Sequence, residues 1–464
     1  MNEIRIFDLV IVGAGPAGMA AARRAVGGGL STVVLDSEQQ PGGQIWRNAL
    51  GNATSSVVDV LGSEYRRGVQ QVQAFLSSGA EYVPGAQVSR LEHGWIVEYV
   101  KDNAIHFVKG KHLLLATGAQ ERPVPFSGWT LPGVMTVGAA QILLKTAGQL
   151  PQGPVVVVGN GPLPLLYLHQ MRMAGLTAAA YLDSTPRGLL GRAIRQAQGA
   201  IRNPGQVLKG AAWLPTFNRI PYVKNVARIA AKGANRLAAV EVETSNGMTK
   251  QFEARTLLVH EGLVPGHQLA VSAGARLAWD SEQFAFRLER DEWMNAGPEG
   301  LYLAGDGARI GGALNAKTEG EIAAIGVLLH SGAITLAKAT ADATPLRGLL
   351  SRQKSFRSFL DSVYPPHLAL RQPEDATILC RCEELNAGKL RDAAVRTGCK
   401  GPNQLKTFTR AGMGPCQGRQ CGYPVHELVK SIGGLPAGEV GLYHPRPPFV
   451  PVTVSMLAKF DGEE

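Results

Sequence analysis

The apolar residues of this chain fall into short unbroken runs, set between glycine turns and stretches of helical spacing. Leu9–Val12 is wholly apolar, which predicts a strand buried on both faces. It leads into Gly13-Ala-Gly-Pro-Ala-Gly18 and the alanine-rich stretch after it, so strand, tight turn and helix are expected in that order. Thr32–Leu35 is a second apolar run and ends in Asp36. Val57–Ser77 carries Val57, Leu61, Tyr65, Val69, Val72 and Leu76 at three- and four-residue intervals, which predicts one helix. Tyr82–Val83, Val88–Glu92, Trp95–Val100 and Ile105–Val108 read as strands, with hairpin signals at His93-Gly94 and Asp102-Asn103. His112–Ala116 is a further strand, closing on Thr117-Gly118.

The pattern then recurs. Pro154–Val158 runs into Gly159-Asn-Gly161, and Ala178–Leu182 ends in Asp183. The most apolar long segment, Leu163–Leu182, is interrupted by His169 and Arg172, so it reads as a packed helix and strand rather than a membrane span. Leu257–Val259 and Leu301–Ala304 are later strands. Strands alternating with helices predict an α/β fold with parallel sheets. After Thr335 the stretch Ala337–Thr344 is small and polar, and Pro345, Pro365, Pro366 and Pro373 punctuate the chain from there; this reads as a linker that wraps the body. Beyond it Asn386 can cap a helix through Leu390, Ala394 and Val395, with Gly398 as its stop.

At 464 residues the chain exceeds one core, so two or three domains are expected. A hydrophobic share of 45% with 18% charged excludes long disorder. Net charge is +10, from 47 Lys and Arg against 37 Asp and Glu. The positives read as scattered, without a nucleic-acid-type block, so the excess is assigned to solubility and phosphate binding. Met1–Phe7 lacks a basic n-region and a cleavage site, so no signal peptide is expected. The five cysteines all follow Leu379, an odd and clustered set that argues against a disulfide framework and fits a reducing, cytoplasmic setting.

Gly13, Gly15 and Gly18 have the G-x-G-x-x-G spacing of a dinucleotide turn. In so glycine-rich a chain roughly one such match is expected by chance. Its context gives it weight: a buried run precedes it, and Asp36 lies about 20 residues on, where a ribose-binding acid belongs. Gly42 and Gly43 before Gln44 suggest backbone passing close to a bulky ligand. The second turn lacks its third glycine, because Pro164 stands there, and no arginine cluster follows Asp183. No cysteine precedes Cys380, which excludes a disulfide reductase's dithiol chemistry. His260 and Glu261 could form a proton relay, but neighbours on a strand face opposite ways, so a structural histidine is the better reading. Lys317 and Glu319 either line a ligand or form a solvated first helical turn.

Four cysteines form two tight pairs, Cys380/Cys382 and Cys416/Cys421. Such pairs suit a tetrathiolate metal site, with Gly412, Gly414 and Gly418 letting backbone N–H groups approach sulfur. Structural zinc usually takes Cys-x2-Cys spacing, whereas these pairs are Cys-x-Cys and Cys-x4-Cys. Cys399 is left over as a buried thiol.

Together, Gly13–Gly18, Ala116–Gly118 and Leu301–Asp306 resemble the two-dinucleotide-domain flavoproteins of the glutathione- and thioredoxin-reductase type. The resemblance implies FAD along Gly13, Gly15, Pro16, Ala17, Gly18, Asp36, Gly43, Gln44, Thr117, Gly118, Gly305 and Asp306, with the Val88 backbone at the adenine. It implies a nicotinamide-type second domain, which Pro164 leaves open between NAD(P), ATP and no nucleotide. Arg410–Cys421 resembles the second half of the bacterioferritin-associated ferredoxin motif, implying [2Fe–2S] on Cys380, Cys382, Cys416 and Cys421. The whole order resembles the α (A) subunit of bacterial opine, D-hydroxyproline and proline dehydrogenases and of hydrogen cyanide synthase.

That family implies two Rossmann-like domains and a small C-terminal α-helical [2Fe–2S] domain. The flavin domain would comprise 1–119 and 296–344, and the nucleotide domain 120–295. A linker at 345–375, the cluster domain at 376–445 and a tail at 446–464 complete the division. No catalytic residue is expected in this chain. Bond breaking would fall to a β subunit of the D-amino-acid-oxidase type, with a small γ subunit and an FMN at the junction as further options. A quinone acceptor would bring peripheral contact with the inner face of the membrane. The alternatives are a stand-alone NAD(P)H-dependent reductase and a non-enzymatic iron-sensing scaffold.

Overall fold

The computed structural model describes residues 4–367 and 372–461. The first three residues of the expected flavin domain, 368–371 of the expected linker and 462–464 of the expected tail lie outside the described residues.

A seven-stranded sheet forms first. Its order is Glu81–Pro84, Thr32–Asp36, Arg5–Val12, Ala104–Leu115, Ile96–Lys101 and Gln87–Glu92, with Leu301–Leu303 also pairing on Ala104–Leu115. Arg5–Val12 lies parallel to both neighbours, with Leu9 opposite Thr32 on one side and His112 on the other. Leu9, Val10 and Ile11 are fully buried, which is why that run is apolar without alternation. The hairpin turn expected at Asp102-Asn103 is present, both residues having positive φ. Helices Pro16–Gly27 and Ala313–His330 cover one face. They approach so closely that a Cβ on Gly320 would sit 2.1 Å from the Ala17 carbonyl oxygen.

The second sheet has five parallel strands: Tyr222–Lys224, Ala180–Asp183, Val155–Gly159, Thr256–His260 and Val134–Thr136. An antiparallel three-stranded sheet, Val226–Lys232, Ala239–Thr244 and Thr249–Glu253, shares its core. The C-terminal unit is helical, built from Ala387–Thr397, Pro402–Thr409 and Gly422–Gly433 around Leu379, Leu390, Leu405 and Val425. Its first helix starts and stops as expected: Asn386 Oδ1 accepts from the Lys389 N–H at 2.9 Å, and Gly398 takes the left-handed conformation at φ +62°.

Two expectations need correcting. The helix expected over Val57–Ser77 breaks at Gly62, where φ is +89°, into Val57–Leu61 and Ser63–Leu76. The stretch read as a linker is largely one 28-residue helix, Leu336–Val363, with Pro345 inside it. Thr335 caps it by accepting from the Lys338 N–H. Ala339 and Ala343 are fully buried, so the small residues are there for close packing rather than for flexibility. Among the described residues no helix is long and apolar enough to cross a membrane.

Candidate cofactor cradles

In the first sheet the glycine turn is a packed object. Gly13 has φ +106°, and a Cβ there would lie 2.4 Å from the Ala116 carbonyl oxygen. A Cβ on Gly18 would lie 1.9 Å from the Gly13 oxygen. Gly15 differs: its Cβ direction meets only the Gly43 Cα, at 3.8 Å. The Pro41–Gln44 loop is held beside it by the Gly42 N–H on the Ala14 oxygen at 2.8 Å. The helix Pro16–Gly27 starts at Gly15 without a side-chain cap, so its first N–H groups face the space that Gly15 and Gly43 leave. This is a place where a pyrophosphate can reach backbone, and the residues fit FAD.

Asp36 accepts from the Ala14 N–H and, at 2.7 Å, from the Glu38 N–H. Burial raises its pKa, and those two N–H groups oppose the rise. Asp306 is half-buried, and its Oδ1 accepts from Gly311 and Gly312 N–H, each at 2.8 Å. Burial raises its pKa as well, against the same two N–H groups. Thr117 donates to the Gly266 oxygen at 2.7 Å, and the Gly305 N–H donates to Glu319 at 2.9 Å. Glu319 is therefore a buried structural carboxylate, paired with Arg290 at 2.5 Å. Lys317 stays partly exposed, 4.0 Å from Glu321. The Val88 side chain packs into the sheet's core with Val83 and Leu35. The Gln44 oxygen accepts from Lys145 Nζ at 2.9 Å, and burial pushes the Lys145 amine down to about 7.

The second turn is occupied by the chain itself. Asn160 donates to the Pro365 oxygen at 2.8 Å. Glu261 accepts from the Ser184 hydroxyl and, at 3.1 Å, from the His367 N–H. Asp183 is taken by Thr185 N–H at 2.8 Å and the Tyr222 hydroxyl at 2.5 Å. The helix Pro162–Met173 begins with Pro162 and Pro164, two residues without an N–H. His260 faces away from Glu261, pairing with Glu121 at 2.7 Å. It is a structural histidine, as the strand alternation predicts.

The four paired cysteines come together on the C-terminal unit. Cys380 shares a hydrogen bond with Cys421, and Cys382 with Cys416. The Cys421 bond lowers the Cys380 pKa to about 6, helped by the N–H groups of Gly412, Glu383 and Cys382. The same contact, with burial, raises the Cys421 thiol well above the ordinary range. Among the described residues no three metal-ligating side chains meet at one point; the thiols meet as two pairs. A Cβ on Gly414 would lie 2.2 Å from the Cys382 Cβ. Tyr443 lies over Gly412 and Gly418, where added Cβ atoms would come within 2.7 and 2.5 Å of its ring. Its buried hydroxyl stands beside Cys421 but makes no well-directed hydrogen bond. Four thiols, converging N–H groups and an orphaned hydroxyl donor fit a [2Fe–2S] cluster. Cys399 is buried elsewhere, with Thr397 Oγ1 at 2.9 Å from its sulfur.

A seam joins the two cradles. Gln120, two residues after Gly118, donates to the Arg419 oxygen between Cys416 and Cys421 at 2.7 Å. A small open cleft of about 20 Å³ lies there, lined by Gln120, Pro265, His267, Gly418, Tyr423 and Tyr443 among others. Tyr423 accepts from the Phe286 N–H at 3.1 Å, and its ring lies under Arg122. Burial pushes His267 down to about 4, so it is neutral at ordinary pH. Sequence reasoning missed Gln120, His267, Tyr423 and Tyr443. Gly412 and Gly418 signal a close neighbour, but nothing in their spacing names Tyr443.

Two glycine-turn sheets docked on a tetrathiol helical unit define a flavin and iron–sulfur oxidoreductase. Residues 7–196 match the pyridine nucleotide-disulphide oxidoreductase family, which implies FAD. Residues 378–431 match the BFD-like [2Fe-2S] binding domain, which implies the cluster. The chain is 36% identical to the opine oxidase A subunit from Rhizobium meliloti (strain 1021), over 98% of each chain. It is 32% identical to the hydrogen cyanide synthase subunit HcnB from Pseudomonas aeruginosa, over 98% of this chain and 99% of that one. The chain belongs to this family of opine oxidase A and HcnB subunits. The L-proline dehydrogenase from P. horikoshii has the same fold, with a TM-score of 0.72 at 18% identity, covering 98% of this chain and 81% of that one. The relatives are named as subunits, which supports a heteromeric assembly.

Proposed function

We propose that this chain is the electron-carrying subunit of a heteromeric dehydrogenase that oxidises the C–N bond of an amino acid, an imino acid or an opine. The observation that carries this is the seam: Gln120 ties the end of the flavin strand to the loop between Cys416 and Cys421. FAD at the first cradle would accept electrons as a pair, and a cluster on Cys380, Cys382, Cys416 and Cys421 would accept them singly. The chain's own residues hold and screen. Gly13, Gly15, Pro16, Ala17 and Gly18 offer the pyrophosphate backbone, with Gly43 giving room and Gln44 beside it. Asp36 and Val88 stand toward the adenosine, and Thr117, Gly118, Gly305 and Asp306 toward the ribityl chain. Gly414 lets Cys382 approach, and Tyr443 keeps water from the sulfurs.

C–N bond breaking would belong to a partner subunit of the D-amino-acid-oxidase type, a division of labour supported by relatives that are themselves named as subunits. A small third subunit and an FMN at the junction fit the same assembly. The residues of the second turn favour no nicotinamide there: Asn160 and Glu261 already hold Pro365 and His367, and Pro162 and Pro164 withhold N–H groups. The test is co-expression with a flavoprotein encoded beside it, followed by assay with D-hydroxyproline, proline, opines and glycine. The complex should oxidise one of these classes, and the chain alone none. A complex inactive on all of them would refute the substrate class.

A further inference from the structure

Of the four paired cysteines, Cys380 and Cys421 are buried, Cys416 is partly exposed and Cys382 is exposed. The buried pair is out of reach of water, so hydrogen bonds to its sulfurs must come from the chain. Cys380 has the N–H groups of Gly412, Glu383 and Cys382. Beside Cys421 the donor is a side chain, the Tyr443 hydroxyl. As cluster ligands both cysteines are thiolates, so the proton that Cys380 and Cys421 otherwise share is gone and neither can donate to the other. The phenol keeps its proton at neutral pH and, buried without a well-directed acceptor, has a hydrogen bond to give.

Tyr443 is also held in place for this. It lies beyond residues 378–431, the stretch that matches the iron–sulfur domain, and comes back to the cysteines after the short helix Ala437–Val440. One side chain clamps the backbone on both sides of it. Asn403 Nδ2 donates to the Leu442 oxygen at 3.0 Å, and Asn403 Oδ1 accepts from the His444 N–H at 2.8 Å. Asn403 sits in the first turn of the helix Pro402–Thr409, and Lys406, one turn on, places its Nζ 5.6 Å from the centre of the Tyr443 ring. The ring itself fills the space that Gly412 and Gly418, at φ +87° and +79°, leave open. A ring that served only as a lid would do better as phenylalanine, because burying a hydroxyl without an acceptor is costly.

We propose that, with the cluster in place, the Tyr443 hydroxyl donates a hydrogen bond to the Cys421 sulfur and so raises the potential at which the cluster takes its electron, and that Asn403 is the residue that positions it. A donor at a ligand sulfur favours the reduced cluster, which carries one more negative charge. The proposal rests on the reading of Cys380, Cys382, Cys416 and Cys421 as a [2Fe–2S] site, and goes beyond it by assigning residues outside the ligand set that tune the site.

The experiment is an EPR-monitored redox titration of the full cofactor-loaded chain beside Tyr443→Phe, with iron and labile sulfide measured first. An unmodified chain without iron and sulfide would overturn the [2Fe–2S] reading and the proposal together. Tyr443→Phe keeps the ring over Gly412 and Gly418, so iron and sulfide should stay full. Its cluster's reduction equilibrium should weaken about tenfold, a fall of about 59 mV for one electron. One exchangeable-proton coupling of the reduced cluster, read by ENDOR in water and in deuterium oxide, should be missing from Tyr443→Phe. Asn403→Ala should lower the potential in the same direction, and the double variant should fall no further than Tyr443→Phe. A fully loaded Tyr443→Phe with an unchanged potential would overturn the proposal while leaving the cluster reading intact, and effects that simply add in the double variant would overturn the part given to Asn403. Should Tyr443→Phe purify without its cluster, Asn403→Ala decides: its side chain bonds backbone and no sulfur, so a lowered potential supports the proposal and an unchanged one overturns it.

Discussion

The Gln120 side chain donates its N–H to the Arg419 carbonyl at 2.7 Å, joining the strand end after Gly118 to the loop between Cys416 and Cys421. Gln120→Leu removes the bond and leaves the Arg419 oxygen without that partner, a cost of about 1–3 kcal/mol. The cofactors should remain bound, because neither cradle is touched. Rapid-freeze EPR should show the reduced cluster signal rising several-fold more slowly after the flavin is reduced.

Gly15 and Gly18 belong to the same turn and should respond differently to one methyl group. A Cβ on Gly18 would meet the Gly13 oxygen at 1.9 Å, so Gly18→Ala forces strand and helix apart at a cost of about 1–3 kcal/mol. A Cβ on Gly15 meets only Gly43, at 3.8 Å. Gly15→Ala should therefore fold normally and yet purify without flavin. Absorbance ratios and thermal melts of the two apoproteins, side by side, check this.

Gly414→Ala would press a methyl group 2.2 Å from the Cys382 Cβ and push that ligand out of place. Iron content should fall to near zero while flavin content holds. Cys399→Ala should keep its iron in full, because that thiol packs with Thr397 away from the other four. Iron and labile-sulfide assays on both variants give the answer.

Lys145 is buried between Gln44 and Gln141, and burial lowers its pKa from 10.5 to about 7. Between those values the unfolded chain binds a proton that the folded chain does not. Stability contributed at this site therefore rises with pH across that window, and below about pH 7 the folded chain carries the cost of a buried ammonium. The melting temperature of the unmodified chain, relative to that of Lys145→Met, should climb from pH 7 to pH 10. A flat difference would mean that Lys145 stays charged in place.

Much of this architecture is legible in the sequence, and the failures have physical causes. The Gly13–Gly18 turn, the buried run Leu9–Val12 and the Asn386-to-Gly398 helix are local: their residue types are set by backbone conformation and by burial of the same segment. Leu336–Val363 is not local in that sense. Its alanines are there to fit against another helix, and without that helix in view small polar residues look like a linker. Val57–Ser77 keeps its apolar spacing across Gly62, so periodicity cannot show the break. Tyr443 and Gln120 act on cysteines and glycines far away in the chain, and nothing in their own neighbourhoods marks them. The positive residues that read as scattered are concentrated: residues 184–240 hold ten Lys and Arg and no Asp or Glu.

The most direct test of the central claim is anaerobic titration of the isolated, cofactor-loaded chain, followed by absorbance and EPR. The flavin should stay oxidised with NADH, with NADPH and with every amino acid, imino acid and opine. Once the partner subunit is added, its substrate should bleach the flavin and bring up the reduced cluster signal. Bleaching of the isolated chain by a nicotinamide or by a C–N substrate would contradict the account.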